Sequence, residues 1–374
     1  MEYPHFGLTE WPFQVVPSPG FYRIMADRER TKTDVEAVLR NLSRRPNSSA
    51  HILWAWYGAG KTHTLRHICY LCSCEHANML PVYCEFPRSA KSFVDVYRSF
   101  AAAIDLDRIC DSYLEVVTSP VRDTFRKRLQ DEVPDLYNAL QLIAMGEENG
   151  RSLGVRWLRA ENLPVSELRR VGIHKRIELP EDAVRALTWL VSVVVGAAEV
   201  RGESSRVLWM IDEYQRVEAC RPSVVESINS CVHSVFNHNP VGFSLFLSFS
   251  GRPQRELPGW LSEELRDRIG IERPILLPPM SKDEGIVFVR ELLSEFRPAN
   301  NAPPGEYFPF EEEAVEHIVA AIETRNELKP RSIMQFFQAV LEEADPLMQQ
   351  GCMKSIDAAF AEACLKDISQ INEQ

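Results

Sequence analysis

The 374-residue sequence has no apolar run long enough to cross a membrane and no excess of positive charge. Its longest uncharged, mostly apolar stretch, 186–198, is shorter than the ~20 residues of a membrane span, which predicts a buried helix. Residues 1–6 contain no apolar signal-peptide core, so we expect neither secretion nor a membrane partner. The formal net charge of -11 argues against nucleic-acid binding by the surface as a whole, because most of that surface would repel phosphate.

A disulfide framework is also missing, although nine cysteines are present. Free thiols are typical of a reducing compartment, and we expect a cytoplasmic protein. Cys69, Cys72 and His76 fall on one face of a predicted helix, so a metal site is one interpretation. No second pair with zinc-finger spacing follows, and the expected role of these side chains is core packing.

One motif predicts a bound nucleotide. Residues 55–62 read Ala-Trp-Tyr-Gly-Ala-Gly-Lys-Thr, after the apolar run 51–54 and before a helical stretch, 62–71. Glycines let consecutive backbone N–H groups point at phosphate oxygens, and the N-terminus of a helix adds positive potential. The strict pattern has glycine where this sequence has Ala55, and Gly-Lys-Thr triplets also occur by chance. The flanking strand and helix favour a phosphate-binding loop.

The residues of this loop have separate expected roles. Lys61 would neutralise the β- and γ-phosphates, and Thr62 would ligate Mg²⁺. The other residues predicted to bind the nucleotide are Gly58, Ala59, Gly60 and His63.

A second apolar strand, 207–211, ends in the acidic pair Asp212 and Glu213. Hydrolysis of a triphosphate requires a held metal and a base that activates water. We expect Asp212 to hold Mg²⁺ through water and Glu213 to polarise the attacking water. Such acidic pairs are common at strand ends, and it is the upstream phosphate loop that makes this one informative. Since the chain has no Asn-Lys-x-Asp motif for guanine, ATP is the predicted nucleotide.

Strands and helices alternate along the first three quarters of the chain, which predicts a parallel α/β sheet. The stretch from about 106 to 180 has a helical pattern without a strand, and the sequence after 278 predicts helices only. The aromatic, proline-containing leader would dock on the core or line an adenine pocket. The predicted domains are a leader (1–45), a P-loop core (46–277) with a helical insert at about 106–180, and a helical lid (278–374).

Part of the insert is basic against the acidic background. Between 151 and 176 the only acids are Glu161 and Glu167, so the local balance is 7 minus 2, or +5. This basic segment is either a solvated, ion-paired helix face or a contact surface for DNA or an acidic partner. Its cations are Arg151, Arg156, Arg159, Arg169, Arg170, Lys175 and Arg176.

With these elements in this order, the chain from about 30 to 345 resembles the AAA+ ATPases, in particular the branch of origin-recognition and initiator-loader proteins. The resemblance implies that Ser250, or else Ser248, is the first sensor of the γ-phosphate. It also implies that Arg331, which follows Lys329-Pro at the start of a lid helix, is the second sensor.

The same resemblance implies an arginine finger that reaches the nucleotide of a neighbouring subunit. Arg268 is the first candidate and Arg266 the second, both within 264–269. Either could instead be an ordinary surface arginine. A working finger would require a homo-oligomer or a complex with partner proteins.

Shorter motifs are similar to those of two bacterial groups. The opening 6–13, Phe-Gly-Leu-x-Glu-x-Pro-Phe, resembles ATPases of transposition target choice and secretion-pore assembly. The phosphate loop together with 157–161 and 166–172 resembles ATPases of phage-exclusion (BREX-type) systems.

The sequence therefore predicts an AAA+ ATP hydrolase that drives assembly or remodelling of a DNA-associated complex in phage defence or mobile-element biology. A different class remains open, namely an ATP-gated interaction module or signalling switch with slow hydrolysis. A small-molecule kinase is a third interpretation, which Glu213 disfavours because its position suits the activation of water.

Overall fold

The computed structural model describes residues 3–16, 18–26, 28–251, 257–269, 274–299, 304–325 and 327–372. These residues form two compact units. The sheet unit consists of 35–54 and 68–275, and the lid unit consists of 1–34, 55–67 and 276–374.

Five strands form one sheet in the order β2-β3-β4-β1-β5. The strands are β1 (Ser49–Ala55), β2 (Met79–Glu85), β3 (Arg206–Asp212), β4 (Phe243–Ser250) and β5 (Ile275–Leu277). β2 pairs with β3 in parallel, with Met79 opposite Arg206, and β3 pairs with β4 in parallel, with Val207 opposite Phe243. β3 is buried along its whole length, as expected for an apolar strand covered on both faces. The predicted α/β fold with a parallel sheet is confirmed.

Helices flank this sheet and fill the predicted insert. The first three are α1 (Glu29–Arg44), α2 (Lys61–Cys74) and α3 (Phe93–Ala103). The stretch predicted to be helical contains no strand among its described residues. It folds into α4 (Leu106–Thr118), α5 (Asp123–Glu132), α6 (Pro134–Met145), α7 (Glu148–Leu158) and α8 (Val165–Arg170). The next are α9 (Pro180–Val200), α10 (Pro222–His238) and α11 (Glu263–Ile269).

α9 is long and apolar enough to cross a membrane by length and composition alone, but 61% of its most apolar window is buried inside the protein. Its side chains belong to the core of the sheet unit, among them Leu187, Leu190 and Val194. The buried helix predicted at 186–198 is thus observed.

Local sequence signals explain several helix starts. Ser92 and Asp95 form a reciprocal capping box at the start of α3, which satisfies backbone N–H groups that have no partner within the helix. Proline occupies the first turn of α6, α9 and α10, where its missing N–H costs no hydrogen bond.

The C-terminal part of the lid unit is helical. Its helices are α12 (Lys282–Glu295), α13 (Glu312–Arg325), α14 (Pro330–Gln349) and α15 (Ala358–Asn372). Ser281 and Glu284 form a capping box at the start of α12. The all-helical C-terminal region is confirmed.

The leader packs into the core of these helices. The ring centroid of Phe13 lies 5.1 Å from that of Phe337 on α14, and the centroid of Phe21 lies 5.3 Å from that of Phe296. Phe6, Phe13 and Phe21 are all buried in this core. The lid helices and the leader therefore share one hydrophobic core, while the predicted domain limits stay a prediction.

Candidate nucleotide-binding site

The phosphate loop has the backbone that its glycines predict. Gly58 and Gly60 adopt positive φ angles of 80° and 100°, a region that residues with a Cβ rarely enter. Lys61 begins α2 and is only 4% exposed, and its Nζ donates to the carbonyl of Trp56 at 3.3 Å. Thr62 lies exposed on the first turn of α2. The loop thus presents a lysine and a hydroxyl at a helix N-terminus, as a triphosphate requires.

His63 and His67 attach the leader to α2 in the lid unit. The Nε2 of His63 lies 2.6 Å from the carbonyl oxygen of Ile24, and the Nδ1 of His67 lies 2.8 Å from that of Tyr22. Burial lowers the pKa of His63, so its imidazole is neutral and donates to the carbonyl. Because the His63 ring contacts the leader, only its backbone N–H remains for the nucleotide contact predicted for it.

Arg331 lies beside the phosphate loop within the lid unit. Its backbone N–H donates to the carbonyl of Gly58 at 3.4 Å, and its guanidinium carbon lies 4.6 Å from the ring centroid of Tyr57. The Nζ of Lys329 lies 5.5 Å from the ring centroid of Trp56. The start of α14 therefore places the predicted second sensor against the loop that would hold the phosphates.

Asp212 ends β3 in the sheet unit and is 1% exposed. Ser248 on β4 donates its hydroxyl to Oδ1 at 2.7 Å, and Tyr83 on β2 donates to Oδ2 at 3.1 Å. The backbone N–H of Glu213 also donates to Oδ1, at 2.9 Å. These three donors fix the orientation of the buried carboxylate.

Glu213 adopts a left-handed backbone with φ of 56°, which turns the chain sharply after β3. The hydroxyl of Ser250 donates to its Oε1 at 2.9 Å, and the Nε2 of Gln215 donates to its Oε2 at 2.8 Å. The Oε1 of Gln215 accepts the backbone N–H of Ser250 at 2.9 Å. Glu213, Gln215 and Ser250 thus form a closed hydrogen-bonded triangle.

Two of these partners were not predicted from the sequence. Tyr83 is a polar-tipped residue inside an apolar strand, and its position two residues before Glu85, which pairs with Asp212, is the signal that could have identified it. Gln215 was missed because a glutamine two residues after an acidic pair matches no general motif.

The two candidate finger arginines have different surroundings in the sheet unit. Arg266 donates to the carbonyls of Leu261 at 2.9 Å and Gly259 at 2.8 Å, so its guanidinium ties down its own loop. Arg268 is exposed; its guanidinium lies over the ring of Phe236 and donates to the Oδ1 of Asn237 at 3.0 Å. Arg268 is thus the arginine available at the surface.

The structure groups the predicted site residues by unit. Lys61, Thr62 and Arg331 are together in the lid unit, and Asp212 and Glu213 lie with both candidate serines in the sheet unit. Among the described residues, no group of three or more His, Cys, Asp or Glu side chains could hold a metal ion. The hydroxyl of Thr62 and the carboxylate of Asp212 are hard oxygen donors, the chemistry that Mg²⁺ prefers. The individual roles stay predictions.

Most of the basic segment is paired. Trp157 is 4% exposed and donates its indole N–H to the carbonyl of Lys175, so it is a core residue. Within the described residues, the exposed Arg169 and Arg170 make no ion pair or hydrogen bond through their side chains. Ion pairs join Arg151 to Asp107, Arg156 to Glu161, Lys175 to Asp182 and Arg176 to Glu178.

No protein-family model and no curated protein matches the chain. Solved structures do. The Orc1 protein of Aeropyrum pernix in complex with DNA is similar at 12% identity and a TM-score of 0.54, over 97% of this chain and 70% of that one. The fold is therefore the α/β P-loop (AAA+) fold with a helical C-terminal region. The Orc2 protein of the same organism, in ADPNP-ADP complexes, is similar at 11% identity and a TM-score of 0.50, over 92% and 69% of the two chains.

Proposed function

We propose that the protein binds and hydrolyses ATP. The observation that carries this proposal is the end of β3, where each carboxylate of an acidic pair accepts a hydroxyl from β4: Asp212 from Ser248 and Glu213 from Ser250. Hydroxyl donors fix the orientation of both carboxylates, and the same chain has a phosphate loop. This combination fits a hydrolytic site better than a purely structural pair of acids.

The chemistry follows from these side chains. Lys61 binds the β- and γ-phosphates, and Thr62 and Asp212 would hold Mg²⁺, which when bound offsets the negative charge of the phosphates. Glu213 accepts the proton of the attacking water. Arg331 approaches the γ-phosphate from the lid, where its edge donors can read the third phosphate.

Two variants test the assignment. Lys61→Ala is expected to abolish ATP binding, and Glu213→Gln to retain bound ATP while turnover falls by roughly 10²-fold or more, as for removal of a general base. The measurements are binding of a fluorescent ATP analogue and release of inorganic phosphate. Unchanged phosphate release in either variant would show that these residues do not carry out the hydrolysis.

A switch with slow hydrolysis is the second candidate, and the hydrogen bonds of Glu213 favour it. Both of its carboxylate oxygens already accept a hydrogen bond, from Ser250 and Gln215. A carboxylate restrained in this way keeps free lone pairs but has less freedom to turn towards the attacking water, which would slow hydrolysis. Turnover far below the ~1–10³ per second of ordinary enzymes, unchanged by DNA, would favour the switch.

We also propose that the protein contacts DNA through Arg169 and Arg170. These are the exposed cations of the basic segment that make no ion pair among the described residues. The similar Orc1 protein of Aeropyrum pernix is in complex with DNA, which supports testing this class of partner. The double variant Arg169→Gln/Arg170→Gln is expected to weaken DNA binding and reduce its salt dependence by about one to two phosphate contacts.

The matched control is Arg151→Gln/Arg156→Gln, which removes the same charge from ion-paired positions. Equal loss in both variants would indicate a general charge effect instead of a contact at Arg169 and Arg170.

The biological setting that we propose is bacterial phage defence or mobile-element biology, in the cytoplasm. The support is the similarity of 6–13, 157–161 and 166–172 to motifs of such systems. Defence or transposition genes beside this one would support the setting, and an unrelated operon would argue against it.

A further inference from the structure

Two aromatic residues in the phosphate loop contact two cations at the start of α14. Tyr57 lies under the guanidinium of Arg331, with 4.6 Å between the guanidinium carbon and the ring centroid. Trp56 lies under the ammonium of Lys329, at 5.5 Å. All four residues belong to the lid unit. Neither aromatic residue is required by the phosphate-loop pattern, which leaves these positions open.

The backbone holds the two segments in register. The N–H of Arg331 donates to the carbonyl of Gly58. Gly58 has a φ of 80°, which residues with a Cβ rarely adopt, and a Cβ there would lie 3.4 Å from the Cβ of Arg331, so the loop and the start of α14 are in close contact. Tyr57 is 67% exposed, so its ring is not retained there by burial in a core.

The two cations differ in whether a carboxylate already pairs with them. Lys329 is paired with Glu327, with 3.0 Å between Nζ and Oε2, so its charge is already balanced. Arg331 is exposed and pairs with no carboxylate among the described residues. A cation–π contact with the ring leaves the N–H donors at the edge of the guanidinium free to bind phosphate oxygens.

We propose that Tyr57 is a positioning residue that holds Arg331 ready to recognise the terminal phosphate of a nucleoside triphosphate. This inference rests on the proposed ATP binding. It predicts that the protein prefers a triphosphate to a diphosphate, and it gives a physical cause for that preference. Without the ring, the long arginine side chain must lose rotamer freedom each time it binds phosphate. With the ring, part of that ordering is present before the nucleotide arrives.

Removal of the Tyr57 ring is expected to lower the affinity for the triphosphate only. Tyr57→Ala is expected to weaken ATP binding by roughly three- to fivefold, the size of an exposed cation–π contact, with little change for ADP. Tyr57→Phe retains the ring and is expected to restore the preference for ATP. In an Arg331→Ala background, Tyr57→Ala is expected to have no further effect, because the partner of the ring is absent.

The experiment measures the affinities of the full chain for ATP and ADP by calorimetry, in the wild type, Tyr57→Ala, Tyr57→Phe, Arg331→Ala and the Tyr57→Ala/Arg331→Ala variant. Equal weakening of ATP and ADP in Tyr57→Ala, or an added loss in the double variant, would overturn the proposal, since either result means that Tyr57 acts through the shape of the loop. A wild-type protein that binds neither nucleotide would instead refute the proposed function. A preference for ATP that depends on Arg331 but not on Tyr57 would refute only the positioning role.

Discussion

At the residue scale, the end of β3 gives its two acids different surroundings. Asp212 is buried and accepts hydrogen bonds from several donors, whereas the side chain of Glu213 is 19% exposed and accepts from one hydroxyl and one amide. Ser248 and Ser250 differ in the same way, since Ser248 is fully buried and Ser250 is not. The two serines are therefore expected to have different roles, Ser250 in turnover and Ser248 in stability.

Ser250→Ala is expected to lower kcat by about tenfold or more with little effect on ATP affinity or on the free energy of unfolding, because it removes a contact of Glu213 only. Ser248→Ala is expected to lower the free energy of unfolding by about 1–3 kcal/mol, because the buried carboxylate of Asp212 loses a donor. Steady-state phosphate release and urea denaturation measure the two effects. The opposite pattern would make Ser248 the sensor.

His51 is a buried titratable residue outside the proposed chemistry. Burial, and then the nearby Arg206, lower its pKa to about 4. Its ring stacks on Phe246, and its Nε2 lies 2.9 Å from the Ser49 hydroxyl. The folded protein therefore keeps the imidazole neutral at pH values where the unfolded chain protonates it, so stability falls as the pH drops from about 6.5 to about 4.

The loss across that interval is expected to be roughly 3 kcal/mol, and His51→Gln is expected to remove most of this pH dependence. Urea denaturation at pH 7, 6, 5 and 4 measures this loss. His174→Gln, at an exposed histidine, is the control and is expected to retain the wild-type slope. A slope that survives in His51→Gln would assign the pH dependence to other groups.

At the element scale, Arg206 joins the end of α1 to the sheet. The guanidinium is 3% exposed, and burial lowers its pKa to about 10. Cations are favourable near the C-terminus of a helix, and here the charge is balanced by carbonyl dipoles. Its acceptors are the carbonyls of Leu42, Arg45, Asn47 and Phe243 and the hydroxyl of Ser244.

Arg206→Met is expected to lower the free energy of unfolding by about 3 kcal/mol or more, because it leaves several buried carbonyls without a donor. Arg44→Met, at the exposed C-terminal end of α1, is the control and is expected to change the free energy of unfolding by less than about 0.5 kcal/mol. Thermal and urea unfolding measure both. A mild effect of Arg206→Met would mean that water replaces the guanidinium.

Elements of this protein were largely predictable, because their signals are local. The apolar run 207–211 lies within β3, and Lys329-Pro-Arg331 begins α14, so each occurs where the sequence predicts it; Ser281 and Glu284 likewise form a local capping box. The partners across space were not. The Gln215 triangle and the stacking of Tyr57 on Arg331 join residues by contacts that no periodicity encodes.

At the scale of the whole molecule, assembly would complete the proposed chemistry. Arg268 is exposed on α11 and is held only by its contacts with Phe236 and Asn237 among the described residues. Such contacts are weak enough to exchange for a phosphate of a neighbouring subunit. The homo-oligomer remains a proposal that rests on this arginine.

Glu213→Gln and Arg268→Ala are each expected to be inactive alone and to regain partial ATP turnover when mixed, because each supplies what the other lacks across a subunit boundary. Light scattering with a non-hydrolysable ATP analogue is expected to show a larger particle.

Arg266→Ala is the control. It is expected to lower the free energy of unfolding, because Arg266 donates to carbonyls of its own loop. A monomer with or without the analogue would remove the role of Arg268.

The grouping of the phosphate loop with the leader and the C-terminal helices has a consequence for synthesis on the ribosome. Residues 35–54 and 68–275 emerge before the lid helices exist, so the sheet unit can pack first. The loop at 55–62 waits for 276–374, and until then it lacks both Arg331 and the helical core around the leader. A nascent chain would thus contain the complete acidic pair long before the phosphate loop has its helical surroundings, so the proposed nucleotide binding is expected only after the C-terminal helices have been synthesised.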